Sequence, residues 1–185
     1  MRGTFLGFAV AATTLALSRA PAPASESQAA GAAPFTNAAD AKAYLTAALP
    51  DAVSANPKYR AKVTGVLTRW TLKSIAFGKT PDDSVEVSTD ETFDEYRGGK
   101  ATPGTHHARF GIDDVTVENE VSDFDTTESG APALGVIFRC KGAPCIHANW
   151  NGDDSMSAWT DIYIDDAKTR ERVLAAFQAL KSPGQ

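Results

Sequence analysis

The sequence predicts an α+β fold, an antiparallel sheet or partly open barrel of about seven strands with one helix before it and one after it. Three observations predict it. An apolar stripe at helical spacing begins near residue 38, runs of alternating apolar and polar residues fill the middle of the chain, and a second amphipathic stripe follows them. We expect one domain over residues 36–182.

The first residues have the features of an export signal. Arg2 precedes the apolar run Phe5–Leu17, and the small residues Ala22–Ala24 follow it. This order predicts a cleavable signal peptide over 1–24. A membrane anchor is the alternative, but a spanning helix needs about 20 apolar residues and this run is shorter. Residues 25–35 show no apolar periodicity and predict a flexible leader. We expect a periplasmic or secreted protein with no membrane span.

The charge of the chain disfavours some partners. The formal net charge is −5, and loss of the signal peptide would remove two arginines and bring it to about −7. Such a surface repels phosphate backbones and anionic lipid headgroups. We therefore expect no nucleic-acid partner.

The first helix is predicted from its N-terminal cap and its apolar positions. Asn37 is a favourable N-cap, and Asp40 follows three residues later near the positive end of the helix dipole. Pro50 is predicted to end the helix. The residues that share one helical face are Ala41, Tyr44, Leu45, Ala48 and Leu49.

Alternation at a period of two predicts the strands. The clearest half-buried strand is 115–121. Gly98–Gly99, Thr102–Gly104, Asp123–Pro132 and Asn151–Gly152 are predicted breaks or turns. The predicted strands cover 66–77, 85–96, 108–112, 115–121, 134–140, 146–150 and 158–164.

The two cysteines, Cys140 and Cys145, are predicted to form a disulfide that clips a tight hairpin. A redox pair or a metal site completed by His147 is the alternative. Redox pairs commonly have two intervening residues and structural metal sites want four ligands, so the disulfide is favoured.

Such a hairpin creates a conflict of register. It pairs Phe138 with His147 and puts Ile146 on the opposite face. Both faces cannot be core unless the hairpin is covered on both sides or contains a bulge. The sequence leaves this register open.

The last helix has an N-cap at Asp165 or Asp166 and ends before Pro183–Gly184. Its apolar stripe is narrow, so it should pack on a sheet or close the end of a barrel. The residues of the stripe are Val173, Ala176, Phe177 and Leu180.

Three segments, Cys140–Ile146, Ile162–Asp165 and Arg172–Phe177, resemble small uncharacterised exported bacterial domains whose architecture is similar to pleckstrin-homology domains. The resemblance covers roughly 66–180 and implies a compact barrel. Pleckstrin-homology domains that bind inositol phosphates use a basic loop between their first two strands. Here the corresponding turn, 79–83, contains two aspartates beside its one lysine, so no functional residue carries over.

His106 and His107 are the strongest candidates for chemistry. Two imidazoles near Asp113 and Asp114 would suit a metal or acid–base site. Neighbouring residues on a strand point to opposite faces, so one ion could bind both only if 105–108 were a loop. A small metal-assisted hydrolase using these histidines and nearby carboxylates is therefore the alternative function.

The tryptophans could form a binding platform. Trp159 and Tyr163 share a phase opposite Ile162, which predicts an outer, exposed face. Packing under a loop or the first helix is the alternative for Trp70, Trp150 and Trp159. The candidate binding residues are Trp150, Trp159, Tyr163, His106 and His107.

Known catalytic and metal-binding patterns are missing from the sequence. Counted from Asn149, a calcium loop would need Gly at the sixth position and Glu at the twelfth, where Asp154 and Thr160 stand. No nucleophile elbow, phosphate loop or zincin motif occurs. We expect no catalytic residue, metal ligand or cofactor. The favoured function is a non-catalytic module of the cell envelope that binds a protein, a peptide or a small apolar ligand beside the last helix or on the Trp150/Trp159 face.

Overall fold

The computed structural model describes residues 35–181. The predicted signal peptide and, except for Phe35, the predicted leader lie outside the described residues. The described chain contains one antiparallel sheet and two α-helices. Its elements are α1 (Ala38–Ser54), β1 (Tyr59–Ala61), β2 (Leu67–Lys79), β3 (Val85–Arg97), β4 (Lys100–Gly111), β5 (Val115–Thr127), β6 (Pro132–Cys140), β7 (Ile146–Trp150), β8 (Asp153–Ser157), β9 (Trp159–Tyr163) and α2 (Ala167–Gln178).

The predicted α+β class and antiparallel sheet are confirmed. The sheet is open and has nine strands in the order β8-β7-β4-β3-β2-β1-β5-β6-β9, where about seven strands and a possible barrel were expected. The two unpredicted strands carry little signal. β1 has only three residues, and β8 is polar and exposed along most of its length. An apolar pattern cannot reveal such strands.

The two edge strands of the sheet are neighbours in the chain. β8 and β9 stand at opposite ends of the strand order, yet only Ala158 separates them in sequence. The carbonyl of Ala158 accepts a hydrogen bond from the Cys140 N–H at 2.8 Å. The sheet therefore curls until its two edges come together at this point, although β8 and β9 do not pair.

The disulfide between Cys140 and Cys145 is present, with Cα atoms 5.8 Å apart. The predicted hairpin around it is wrong. β6 pairs with β5 and β9, whereas β7 pairs with β4 and β8. The disulfide thus spans a corner between two parts of the sheet. The register conflict disappears because Phe138 and Ile146 reach the same core from different parts of the sheet.

The first helix begins as predicted and ends later. The Asn37 side chain accepts the Asp40 N–H at 2.9 Å, which confirms the cap. Pro50 does not end α1, which continues to Ser54. Leu49 and Val53 flank the proline and are fully buried, so their packing compensates for the hydrogen bond that Pro50 cannot donate.

The second helix matches its prediction. The side chain of Asp166 accepts the Thr169 N–H at 2.7 Å and caps α2. The two helices contact each other, and both bury apolar residues in the main core of the sheet. Neither helix in residues 35–181 has the length and apolarity that a membrane span requires. The predicted stripe residues that are buried are Val173, Ala176, Phe177 and Leu180.

The hairpin turns are partly as predicted. Asn151 and Gly152 both have positive φ and join β7 to β8, as expected for an Asn-Gly turn. The break predicted over Thr102–Gly104 is wrong, because β4 already begins at Lys100. β7 pairs only with residues 106–109 of β4, so Pro103 lies in a part of β4 without a second neighbour, where a missing N–H is tolerated. The predicted loop 123–132 is also shorter, since β5 runs to Thr127.

Candidate functional site

A cavity of about 290 Å³ lies between strands from the two ends of the curled sheet. Its lining comes from β2, β3, β4, β7 and β8 in one part of the sheet, from β5 and β9 in the other, and from Val53 of α1. Its size is at the lower end of the range for pockets that hold small ligands. The chemically distinctive lining residues are four aromatic side chains, three carboxylates and one imidazole, namely Trp70, Trp150, Trp159, Tyr163, Glu91, Asp125, Asp161 and His106.

Four of the five candidate binding residues line this cavity. The exception is His107, which lies in a separate shallow groove with Asp90. Residues 105–108 are part of β4, and His106 is buried while His107 is exposed. The two histidines therefore face opposite sides of the sheet, as the strand argument predicted. One metal ion cannot bind both.

His106 is held by a carboxylate that the sequence analysis did not single out. Its Nδ1 lies 2.8 Å from Oε2 of Glu91, and both side chains are 5% exposed. The imidazole also stacks on Trp150, with ring centroids 4.0 Å apart. Glu91 could have been found from its position, because it shares a strand face with Val87 and Thr89, both buried. A buried carboxylate needs a hydrogen-bonding or charged partner, and His106 supplies it.

The aromatic walls meet nearly at a right angle. The rings of Trp70 and Trp150 are 5.8 Å apart and inclined at 78°, and Phe93 contacts both of them. Trp150 and Trp159 are 42% and 41% exposed, so a ligand that enters can reach them. Trp70 lies on β2, far from Trp150 in the sequence, so the sequence did not predict that their rings meet.

Tyr163 is buried, and its predicted place on an outer face is wrong. Its ring packs on Tyr59, with centroids 4.6 Å apart, and its hydroxyl donates to Asp125 Oδ2 at 2.6 Å. The Asn56 amide donates to its carbonyl. Burial raises the pKa of the Tyr163 hydroxyl. The curl of the sheet brings β9 against Tyr59 from β1, and sequence alternation alone cannot show that.

The carboxyl group of Asp161 on β9 lies close to that of Glu120 on β5, across strand β6. Burial, followed by the charge of Glu120, raises the pKa of Asp161 well above its ordinary value. Burial also raises the pKa of Glu120, whose Oε2 is buried and makes no hydrogen bond to the described residues. Two close carboxyl groups in such surroundings share a proton. Asp161 and Glu120 therefore keep a proton to higher pH than isolated carboxyl groups would.

The described residues contain no group of three or more His, Cys, Asp or Glu side chains placed to hold a metal ion. His147 lies in the groove with His107, and both cysteines are in the disulfide. Asn149–Asp154 forms the β7–β8 turn, where the Asn149 side chain accepts the Gly152 N–H at 3.0 Å. His147 is thus a groove residue, the cysteines are structural, and Asn149–Asp154 serves as a turn.

No family model, curated protein or solved structure matches this chain. The resemblance to exported domains with pleckstrin-homology-like architecture stays a prediction.

Proposed function

We propose that the protein is a non-catalytic binding module of the cell envelope that holds a small ligand in the cavity between Trp70, Trp150 and Trp159. The observation that carries the proposal is an accessible cavity of about 290 Å³ walled by aromatic rings and containing three carboxylates. Apolar pockets with a few convergent polar groups are the usual form of small-molecule sites. A volume of this size favours a small ligand over a peptide.

The rigidity of the walls supports binding. Most lining residues lie on paired strands rather than on loops. The His106–Glu91 pair and the Tyr163–Asp125 hydrogen bond fix two of the polar groups. Side chains held in this way lose little conformational entropy when a ligand binds.

The proposed location follows from the predicted signal peptide and from the disulfide, which persists in oxidising compartments. Expression of the full chain with its own N-terminus, followed by cell fractionation and mass measurement, tests it. We expect processed protein outside the cytoplasm with both cysteines oxidised. Unprocessed cytoplasmic protein with free thiols would contradict the proposal.

Ligand binding can be tested through intrinsic fluorescence, because all three tryptophans of the chain line the cavity. Protein purified from its host is examined by native mass spectrometry for a co-purifying small molecule. A chemically diverse set of cationic, neutral and anionic compounds is then titrated while tryptophan emission is recorded. We expect at least one compound to shift the emission and to lose affinity in Trp150→Ala. If none of them does, the cavity is not a binding site.

A further inference from the structure

We propose that the ligand of this cavity is a small organic cation, of the alkylated ammonium class. This inference rests on the proposed binding function and narrows it to one kind of ligand. It comes from the charges on the cavity wall and the arrangement of the aromatic rings.

The charges on the wall are of one sign. Glu91, Asp125 and Asp161 contribute carboxylates, and none of the described residues that line the cavity is Lys or Arg. His106 is the one basic group in this lining, and its Nδ1 is already engaged by Glu91. Asp125 and Asp161 have no basic partner in this lining, and partly buried carboxylates without one are unfavourable. A cationic ligand would supply the missing charge, whereas an anion would be repelled.

The ring arrangement suits a rounded charged group. Trp70 and Trp150 stand at 78° to each other, with centroids 5.8 Å apart, and Trp159 also lines the cavity. An ammonium group placed in such a corner can contact more than one ring, and Trp is the aromatic residue that attracts cations most strongly. A flat sugar ring would instead stack on a single aromatic ring that lies parallel to it.

The raised pKa of Asp161 is consistent with this assignment. A cation in the cavity would favour the ionised form of Asp161, so binding should release a proton. The charged or titratable groups that act on Asp161 are Glu120 from β5, Glu91 from β3 and Tyr163 from β9. Those that act on Glu120 are Asp161, Arg139, Asp125 and Asp123.

The test uses a pair of probes that differ only in charge. Choline and its uncharged carbon isostere, in which a tert-butyl group replaces the trimethylammonium group, are titrated into the purified protein by calorimetry and tryptophan fluorescence. We expect choline to bind at least tenfold more tightly, a difference of about 1.4 kcal/mol, because only choline can make a desolvated cation–π contact with the tryptophan rings. Affinity for choline should rise with pH, and calorimetry in buffers of different ionisation enthalpy should show proton release.

Two variants test whether the charge of Asp161 causes the preference for choline over its isostere. Asp161→Asn keeps the shape of the side chain and removes its charge, so the preference for choline over the isostere should fall severalfold. Asp90→Asn is the matched control, because Asp90 lies on the exposed face of β3 in the His107 groove and should not change this preference. Circular dichroism and thermal unfolding of both variants verify that they fold.

The outcomes separate this inference from the function on which it rests. Equal or tighter binding of the isostere, or of a neutral sugar, would overturn the cation assignment and leave the binding function standing. Absence of binding by cationic, neutral and anionic probes alike would overturn both. Unchanged selectivity in Asp161→Asn would remove the role assigned to the carboxylates.

Discussion

The imidazole of His106 and the carboxylate of Glu91 form a buried pair across β4 and β3, and the same chemical pair recurs in solvent one residue away. His107 and Asp90 pair on the opposite face of the same two strands, with side chains about half exposed. A histidine–carboxylate pair between the same two strands therefore occurs once in the buried face and once in solvent. Substitutions at the two pairs can be compared directly.

We expect Glu91→Gln to destabilise the fold by about 1–3 kcal/mol, because it weakens a charge-assisted hydrogen bond between buried groups. Asp90→Asn should cost less than about 1 kcal/mol, since water screens an exposed pair. Urea unfolding of both variants at neutral pH measures the difference. Equal losses would show that burial does not strengthen the His106–Glu91 pair.

Asp161 should make the fold less stable as pH rises. Its pKa in the folded protein lies above its ordinary value of 3.8, so between these two values the unfolded chain ionises while the folded protein retains the proton. The stability that the protonated Asp161 gives the folded protein is thus fully present below about pH 4. It is lost as the pH rises through the pKa of Asp161 in the folded protein. Thermal unfolding across this range should show a decline that Asp161→Asn reduces. An identical pH profile for the variant would contradict the raised pKa.

Asp90 should make the fold more stable as pH rises, which is the opposite of the effect expected for Asp161. Hydrogen bonds from Ser74 and His107 lower its pKa, so its contribution is present above the ordinary carboxyl pKa and is lost as pH falls. The difference in stability between the wild type and Asp90→Asn should therefore be greatest near neutral pH and shrink in acid. A difference that grows in acid would contradict this sign.

Gly135 lies where two strands approach too closely for a side chain. A Cβ at this position would lie 2.6 Å from the backbone oxygen of Ile162, so Gly135→Ala must separate β6 from β9. We expect a loss of about 1–3 kcal/mol, as for other overpacked sites. Ligand affinity should fall as well, because β9 carries Trp159 and Asp161.

Gly142 provides the control for this substitution, since a Cβ there meets nothing within 4 Å. Gly142→Ala should leave both stability and affinity within experimental error. Chemical denaturation and tryptophan fluorescence of the two variants give both readouts. If Gly135→Ala behaved like Gly142→Ala, the close contact would be wrong.

Replacement of Cys140 and Cys145 by serine should lower the free energy of unfolding by about 2 kcal/mol, because the closed loop is short and its chain entropy is small. Reduction of the wild type with dithiothreitol should produce a loss of similar size. Denaturation of oxidised, reduced and double-variant protein under identical conditions makes the comparison. No change on reduction would show that the disulfide does not constrain the unfolded chain.

Pro50→Ala should stabilise the protein. Pro50 lies inside α1 and cannot donate the hydrogen bond that an N–H would make to the Thr46 carbonyl, a cost of about 3 kcal/mol in a helix interior. The greater freedom of the unfolded variant offsets up to about 1 kcal/mol of the gain. Thermal unfolding should show a higher melting temperature. A lower melting temperature would contradict this prediction and show that Pro50 stabilises α1.

Local features were predictable because neighbouring residues decide them. The Asn37 and Asp166 caps, the Asn151–Gly152 turn and the opposite orientations of His106 and His107 depend on backbone geometry within a few residues. The disulfide belongs to the same class, since its cysteines are five residues apart. Four cavity residues were identified as candidates because aromatic and imidazole side chains are conspicuous in a sequence.

Only the tertiary structure decided which strands lie beside one another and what they enclose. Alternation is the same whether β6 pairs with β7 or with β5 and β9, and a polar edge strand such as β8 leaves no apolar pattern. Trp70 and Glu91 come from the paired strands β2 and β3, whereas Asp161 comes from β9 at an edge of the sheet, and the curl of the sheet brings it to the same cavity. The local sequence specifies each strand's conformation, but burial of the shared core selects its partners, and that selection places the site.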